Sequence, residues 1–317
     1  MLFRKVCIIG FGLIGSSLAR ILVRDGLAGE IVCADANPDV CRRVMELGIA
    51  HFATTNLCEG VMDSDLVILS IPVGAYASVM REIAPALMPD AVVTDVGSVK
   101  KTVIDAIRPY LPAHAHFVPA HPIAGTEFSG PDAGFAELFE KRWCILTPMP
   151  ETELRAVEKV VKLWEAGGAM IEIMDARRHD LVLGITSHLP HLIAYTIVGT
   201  AADLEEDTKA DVIKFSASGF RDFTRIASSD PVMWRDIFLN NREAVLEILQ
   251  RFTEDLTAMQ KAVRTCDGRK LESVFTRTRA IRKAVIQTGQ AENRGPTVPE
   301  APLSTSAARA KASGSAK

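Results

Sequence analysis

Short apolar runs alternate with amphipathic stretches through the first half of the chain. Continuous apolar runs are typical of strands that are buried on both faces of a sheet, and the stretches between them read as helices. This alternation predicts an α/β fold with a doubly wound, mainly parallel sheet covered by helices on both sides. The predicted strands are residues 4–10, 30–35, 65–71, 91–96, 143–147 and 170–174, and the predicted helices are 13–24, 38–47 and 151–165.

The pattern changes near residue 175, after which long helical periods replace the strands. We therefore expect an α/β domain over residues 1–174 and an all-α domain over 175–290. Residues 291–317 are rich in Ala, Ser and Pro and contain no aromatic residue, so we expect a disordered tail. The predicted helices of the second half are 175–203, 207–216, 231–262 and 268–288.

Composition narrows the class of protein. The 317 residues carry 36 Lys and Arg against 39 Asp and Glu, so the chain lacks the concentrated basic charge that a nucleic-acid partner requires. Six cysteines without a CxxC pair predict free thiols in a reducing compartment. Glycines interrupt the apolar N-terminal run, and we find no uncharged apolar stretch of roughly 18 residues that could span a membrane. We expect a soluble cytoplasmic protein.

A glycine motif, GFGLIG, lies between the first predicted strand and the first predicted helix. Asp35 follows 20 residues after its last glycine, at the end of the second strand, which is the spacing of a dinucleotide-binding fingerprint. A carboxylate at this position accepts hydrogen bonds from ribose and repels a 2′-phosphate, so the motif predicts NAD rather than NADP. The predicted cofactor contacts are Gly10, Gly12, Leu13, Ile14, Gly15 and Asp35.

The segment Ser70-Ile71-Pro72 ends another strand at the same edge of the predicted sheet. Ligands of open α/β sheets lie at this edge, so the three residues are candidates for flanking the cofactor. Termination of the strand by Pro72 alone explains the segment equally well.

A serine and a histidine follow two further strands. Ser98 lies in DVGSVK after the strand 91–96, and His121 opens HPIAGTE after the short apolar run 116–118. We expect both on loops, close enough to form a hydrogen bond. A neutral imidazole accepts a proton from a hydroxyl group near pH 7, so His121 is the candidate general base.

The helical half adds more histidines. His188 and His191 are three residues apart in SHLPH, so they share one face of a helix, and His179 precedes them. We favour binding of an anionic substrate and expect no metal. Two alternatives stay open, which are a metal site formed by the three histidines and simple packing in the core.

Arginine binds carboxylates through two parallel hydrogen bonds, so one arginine of GFRDFTRIA is expected to hold a substrate carboxylate. Arg225 is the stronger candidate, whereas a surface salt bridge explains Arg221 equally well. The following DPVMW predicts the start of a helix at Pro231.

These motifs resemble, in the same order, those of the prephenate and arogenate dehydrogenases of tyrosine biosynthesis. The resemblance extends over roughly residues 4–288 and rests on GFGLIGSS, DVGSVK, HPIAGTE, HD before SHLPH, GFRDFTRIA and DPVMW. It implies a Rossmann domain that binds NAD, a helical domain that forms a homodimer, and oxidative decarboxylation of prephenate, arogenate or both.

The resemblance also implies roles for individual residues. His121 would accept the proton of the ring 4-hydroxyl group, and Ser98 would orient that hydroxyl group. The residues that would hold the acidic groups of the substrate or line its pocket are His188, His191, Arg225, Thr126, Glu127 and Trp234.

Two other classes of protein stay open. A two-domain dehydrogenase of the β-hydroxyacid type shares the glycine motif but relies on a lysine in the helical domain, and no matching motif surrounds Lys209 or Lys214. A regulator that senses NAD would bind the cofactor without needing Ser98, His121 and the SHLPH sequence together.

Overall fold

The computed structural model describes residues 1–126, 128–203 and 218–287. Glu127, the predicted helix 207–216 and the predicted tail 291–317 lie outside the described residues. By their contacts, residues Met1–Phe252 form one compact unit and Thr253–Lys317 a second. The domain boundary expected near residue 174 therefore does not coincide with the boundary between these two units. The expected division into an α/β and an all-α domain stays a prediction.

Six strands form one sheet in the order β3-β2-β1-β4-β5-β6, with every neighbouring pair parallel. This confirms the predicted doubly wound parallel sheet. The strand order reverses between β1 and β4, and ligands of such sheets bind at this reversal. The strands are β1 Phe3–Ile9, β2 Ala28–Ala34, β3 Phe52–Thr54, β4 Leu66–Leu69, β5 Val92–Asp95 and β6 His116–Val118.

Helices cover both faces of this sheet. Successive residues of β1 point to opposite faces, so Val6 and Ile8 belong to one core cluster while Cys7 and Ile9 belong to the other. Helices α1 and α6 contribute to the first cluster, and α4 and α5 to the second. The sequence predicts α1, α2 and α6 but misses the three shorter helices. The helices are α1 Leu13–Arg24, α2 Pro38–Glu46, α3 Leu57–Val61, α4 Tyr76–Ile83, α5 Lys101–Ile107 and α6 Leu154–Ala166.

A second sheet corrects two expectations. It contains β7 Ala120–Pro122, β8 Trp143–Leu146 and β9 Met170–Ile173, with β7 antiparallel to β8. The last two predicted strands therefore do not belong to the main sheet. The segment HPIAGTE begins in a strand and not in a loop, because His121 lies in β7 and pairs with Ile145 of β8. A three-residue strand that ends in proline is too short to give a periodic signal.

The chain after β9 is helical throughout the described residues, as predicted. The predicted helix 231–262 is interrupted near Asn241 and forms two helices. A single π-helical turn, Gly184–His188, interrupts the predicted helix 175–203. The helices are α7 Ala176–Leu183, α8 Leu189–Ala202, α9 Ser218–Thr224, α10 Pro231–Asn240, α11 Arg242–Arg264 and α12 Gly268–Gln287.

One helical run is long and apolar enough to cross a membrane by length and composition alone. It extends over Ala176–Ala202 and has a window with a mean hydropathy of 1.5. This corrects the expectation that the sequence contains no such stretch. The evidence for a membrane span is weak, because a core helix of a soluble protein passes the same test. The run also carries His179 and Asp180, which are buried inside the protein.

The turn from β1 into α1 generates a prediction about stability. A Cβ atom added at Gly15 would lie 2.1 Å from the backbone oxygen of Gly10, whereas one added at Gly12 would meet no atom within 4 Å. We expect Gly15→Ala to lower the free energy of unfolding by about 1–3 kcal/mol, as overpacking does. Denaturant unfolding of both variants without ligand tests this. An equal loss in Gly12→Ala, the matched control, would contradict the packing argument.

Candidate active site

The glycine loop after β1 leaves space beside the first turn of α1. Gly10 has a φ of 91°, which favours glycine, and its Cα lies against the backbone of Ser70. The space beside Gly12 is open. No side chain caps the N-terminus of α1, so the first N–H groups of this helix are available to an anion. The loop therefore fits a pyrophosphate group.

Asp35 lies at the end of β2, beside this loop. One carboxylate oxygen accepts a hydrogen bond from the backbone N–H of Phe11 (3.0 Å), and the other accepts from Asn37 (2.9 Å). The two bonds fix the carboxylate next to the glycine loop. Each oxygen keeps a second lone pair for a ribose hydroxyl group.

The structure also brings the end of β4 to the glycine loop. Atoms of Ser70 and Ile71 would lie within 3 Å of a Cβ atom added at Gly10, and Ser70 Oγ would lie 3.2 Å from one added at Gly15. Pro72 follows directly and caps a short 3₁₀ helix. The predicted cofactor contacts from β1, α1, β2 and β4 therefore share one edge of the sheet.

A buried ion pair fixes the start of β7. Lys100 Nζ lies 2.5 Å from Asp95 Oδ2, and neither side chain is exposed to solvent. Lys100 Nζ also donates to the carbonyl oxygen of Ala120 (2.6 Å), and the N–H of Ala120 donates to Asp95 Oδ1 (3.1 Å). The pair thus holds both peptide groups of the residue that precedes His121.

His121 belongs to a chain of three hydrogen-bonded side chains. His121 Nδ1 lies 2.8 Å from His179 Nε2, and His179 Nδ1 lies 2.8 Å from Asp180 Oδ1. The Asp180 carboxylate accepts from the backbone N–H groups of Lys100 (2.8 Å) and Lys101 (2.9 Å). Among the described residues, none provides a hydrogen-bond partner for His121 Nε2, so this nitrogen is available to a substrate.

Burial keeps these imidazoles neutral. Burial lowers the pKa of His121 well below 6.5, and electrostatic interactions with His179, Lys100 and His188 act in the same direction. Burial also lowers the pKa of His179, although its hydrogen bond to Asp180 opposes the shift. A neutral His121 can accept a proton at physiological pH.

Among the described residues, no hydrogen bond joins the His121 side chain to Ser98 or Thr126, the residues that HPIAGTE and DVGSVK contribute to the predicted site. Ser98 is half-buried after β5, and the expected hydrogen bond to His121 is absent there, because His121 Nδ1 bonds to His179 instead. Thr126 is exposed and accepts from the backbone N–H of Phe128. Glu127 lies outside the described residues. Their roles toward a substrate stay predictions.

The SHLPH histidines lie beside Trp234. The rings of His191 and Trp234 stack with centroids 3.7 Å apart, and His188 approaches Trp234 edge-on at 6.1 Å. His188 Nδ1 accepts from Asn241 Nδ2 (3.0 Å), which also donates to the backbone oxygen of Asp180 (2.8 Å). Asn241 therefore connects this cluster to the chain that ends at His121.

His188 has an unsatisfied donor. Because Nδ1 accepts from Asn241, the neutral ring carries its hydrogen on Nε2, which is buried and has no partner within the described residues. Burial lowers the pKa of His188 to about 4, so the ring is neutral at pH 7. A buried N–H without a partner is costly, and a bound acidic group would satisfy it.

Arg225 begins a short 3₁₀ helix, Arg225–Ser228, and its side chain is exposed. Its positive charge acts on His191 and lowers the pKa of that ring, after the larger effect of burial. Arg225 is therefore close enough to His191, which stacks on Trp234, to interact with it electrostatically, and binding of an anion here stays a prediction. Arg221 is exposed on α9.

The described residues do not support a metal site. They contain no group of three or more His, Cys, Asp or Glu side chains arranged to hold an ion. Both ring nitrogens of His179 are already used in hydrogen bonds. The alternative of a metal bound by His179, His188 and His191 is therefore not favoured by the geometry.

Sequence reasoning missed several residues that position the site. Asp95 and Lys100 are the first and last residues of the DVGSVK motif, and two opposite charges at the end of a buried strand were an available signal. The HD pair at His179 and Asp180 was noticed only as part of a motif. Nothing in the sequence pointed to Asn241, whose contacts are 53 and 61 residues away along the chain.

Comparisons with known proteins point the same way. The family model described as "Prephenate dehydrogenase, nucleotide-binding domain" matches residues 18–173, and "Prephenate dehydrogenase, dimerization domain" matches residues 175–277. Prephenate dehydrogenase from Aquifex aeolicus, crystallised with hydroxyphenyl propionate and NAD+, is 35% identical with a TM-score of 0.83, covering 89% of this chain and 98% of that one. Synechocystis arogenate dehydrogenase is 25% identical with a TM-score of 0.77, covering 89% and 100%.

One curated relative is similar over almost its entire length. The cyclohexadienyl dehydrogenase of Zymomonas mobilis is 40% identical over 283 residues, which cover 89% of this chain and 96% of the relative. Similarity of this extent, with family models matching both halves of the chain, shows that this chain belongs to the prephenate dehydrogenase family.

Proposed function

We propose that this chain catalyses the NAD-dependent oxidative decarboxylation of prephenate, arogenate or both, as a step of tyrosine biosynthesis. The observation that carries the proposal is His121, a neutral imidazole held by His179 with its Nε2 available. Relatives named as prephenate, arogenate and cyclohexadienyl dehydrogenases support the substrate class. A spectrophotometric assay for NADH formation with each compound tests the proposal directly.

The residues present fit NAD. The glycine loop and the uncapped N-terminus of α1 would hold the pyrophosphate, and Asp35 would hold the adenosine ribose. Ser70 and Ile71 adjoin the same loop and would flank the cofactor. When bound, NAD accepts a hydride from the ring carbon that carries the hydroxyl group.

The protein supplies proton handling and positioning. His121 Nε2 accepts the proton of the ring hydroxyl group as the carbon atom is oxidised to a ketone. Loss of the ring carboxylate as CO₂ then makes the ring aromatic, and His121 returns the proton to the phenolate oxygen. Ser98 would orient the hydroxyl group from the loop after β5. Burial keeps the His121 ring neutral before the reaction, so no neighbouring charged group is needed to keep it deprotonated.

The acidic groups of the substrate would bind at the SHLPH histidines and the arginine near them. Arg225 would hold a carboxylate, with His191 and the unsatisfied Nε2–H of His188 as further donors. Trp234 supports the His191 ring by stacking. Thr126 and Glu127 would line the pocket entrance. The preference between prephenate and arogenate depends on whether these groups contact a keto or an amino group.

The match to a dimerization domain supports a homodimer formed through the helical half. Large apolar side chains that are exposed on α11 and α12 are suited to such an interface. We place the enzyme in the cytoplasm, without nucleic-acid or membrane partners. The exposed residues are Leu246, Leu256, Val263, Phe275 and Ile281.

The other two classes are less compatible with the site. A β-hydroxyacid dehydrogenase would need a lysine from the helical domain, and the buried Lys100 lies instead after β5 and is paired with Asp95. A regulator that only senses NAD would not need the buried chain of hydrogen-bonded side chains formed by Asp180, His179 and His121. Cofactor binding without turnover of either substrate would favour the regulator.

Replacement of the proposed base should abolish turnover. We expect His121→Asn to lower kcat by about 100- to 10,000-fold, since this is the usual contribution of a positioned general base. NAD affinity should not change, because the glycine loop is untouched. Steady-state kinetics and fluorescence titration with NADH measure the two quantities. Near-full activity of this variant would show that another group takes the proton.

Loss of the proposed carboxylate-binding arginine should act on substrate binding. We expect Arg225→Ala to raise the KM for the substrate, with a smaller effect on kcat, because the guanidinium group would bind the carboxylate and not the reacting atoms. Arg221→Ala, on the neighbouring helix, is the matched control and should leave KM close to its original value. An unchanged KM in Arg225→Ala would show that the substrate carboxylate binds elsewhere.

The Asp35 carboxylate should select the cofactor. We expect kcat/KM with NAD to exceed that with NADP by at least about 10-fold, because juxtaposed like charges cost several kcal/mol and about 1.4 kcal/mol is a factor of 10. Asp35→Asn keeps the shape of the side chain and removes its charge, so the ratio of kcat/KM with NAD to kcat/KM with NADP should fall. Comparable turnover of the parent enzyme with both cofactors would rule out this discrimination.

A further inference from the structure

The position of the hydrogen atom on His121 follows from a chain of bonds that begins at Asp180. Both carboxylate oxygens accept backbone N–H groups, Oδ1 from Lys100 and Oδ2 from Lys101, so the side chain acts as an acceptor. His179 Nδ1, 2.8 Å from Oδ1, must therefore carry a hydrogen. In a neutral ring this leaves His179 Nε2 as an acceptor.

The next bond repeats the argument. His121 Nδ1 lies 2.8 Å from His179 Nε2, so Nδ1 of His121 is the donor and carries the hydrogen. The neutral His121 ring then has its free lone pair on Nε2, which is the nitrogen without a partner among the described residues. His179 is fully buried and His121 is 8% exposed, so little solvent competes for the bond between them.

We propose that His179 is a positioning residue, which acts through His121 by holding it in the Nδ1–H tautomer so that Nε2 alone can accept the substrate proton. The catalytic consequence rests on the proposed function, whereas the tautomer is a property of the folded protein. After Nε2 takes the proton, the positive His121 ring still donates to His179, which in turn donates to the Asp180 carboxylate. One intervening ring thus connects the new positive charge to a negative one.

The tautomer can be measured without any substrate. Histidine-selective ¹⁵N labelling of the full chain, with long-range ¹⁵N–¹H correlation spectra, shows which ring nitrogen is protonated, and His121→Gln identifies the His121 signals. We expect Nδ1–H in the parent protein. His179→Phe keeps a ring but removes the acceptor, so the His121 signals should shift toward Nε2–H. His179→Gln restores an acceptor oxygen and should restore Nδ1–H.

An Nε2–H tautomer in the parent protein overturns the proposal, and so does an unchanged Nδ1–H tautomer in His179→Phe. If His179→Phe does not fold, the parent and His179→Gln spectra still decide, because an Nε2–H signal in either one contradicts the proposed chain of donors. These outcomes do not depend on which substrate the enzyme uses.

Kinetics provide the second readout. We expect His179→Phe to lower kcat by about 100-fold or more, since the base would have the wrong tautomer. KM should stay close to that of the parent, because the proposed donors to the acidic groups of the substrate are Arg225, His191 and His188. His179→Gln should recover most of kcat. An unchanged kcat in His179→Phe would show that the tautomer has no catalytic role.

A packing variant of the same helix separates positioning from a general loss of structure. Leu183→Ala removes a buried apolar side chain one turn further along α7 and leaves the hydrogen-bonded chain intact. It should lower stability but keep both kcat and the His121 tautomer. An equal loss of kcat in Leu183→Ala would mean that His179 acts only through packing. Absence of NADH formation by the parent with either substrate would instead refute the proposed function and leave the tautomer measurement valid.

Discussion

The Asp180 carboxylate joins α7 to the loop after β5, and the arrangement of the site depends on this contact. It accepts two backbone N–H groups, from Lys100 and Lys101, and it also orients His179 toward His121. Hydrogen bonds to charged groups contribute about 1.5–3 kcal/mol each, and such bonds have a strict geometry. Because the partners come from the sheet and from the helical half, His121 is held in place only when both parts are folded together.

The DVGSVK segment serves the second part of the same arrangement. Its Asp95 and Lys100 form a fully buried ion pair that also binds both peptide groups of Ala120, directly before His121. Burying two charges is costly, and their attraction offsets the cost only when the remaining hydrogen-bonding groups are satisfied. Here the backbone of Ala120 in β7 supplies two of the hydrogen bonds, and the Gly97 N–H and the Tyr76 hydroxyl group donate two more to Asp95. The burial of charge therefore fixes the position of the short strand that carries His121.

The sequence predicts those parts of the protein whose signals are local. Except for β3, which was not predicted, the strands of the main sheet follow from residues that are close along the chain, and so do the glycine cradle and Asp35. The β7 strand could not be predicted, because three residues ending in Pro122 have no periodicity and depend on pairing with β8. The partner of His121 was also out of reach, since His179 is 58 residues away and its approach depends on how α7 packs on the sheet. His179 and Asp180 were visible as a dipeptide, but only the fold shows that His179 bonds to His121 and to Asp180.

A crystal structure of this protein with NAD and hydroxyphenyl propionate, the pair of ligands in the Aquifex aeolicus complex, tests the central claim most directly. The account predicts that His121 Nε2 lies about 3 Å from the ligand hydroxyl group, with Nδ1 still bonded to His179. A His121 ring that is turned away from the hydroxyl group, or separated from it by more than one water molecule, would contradict the account.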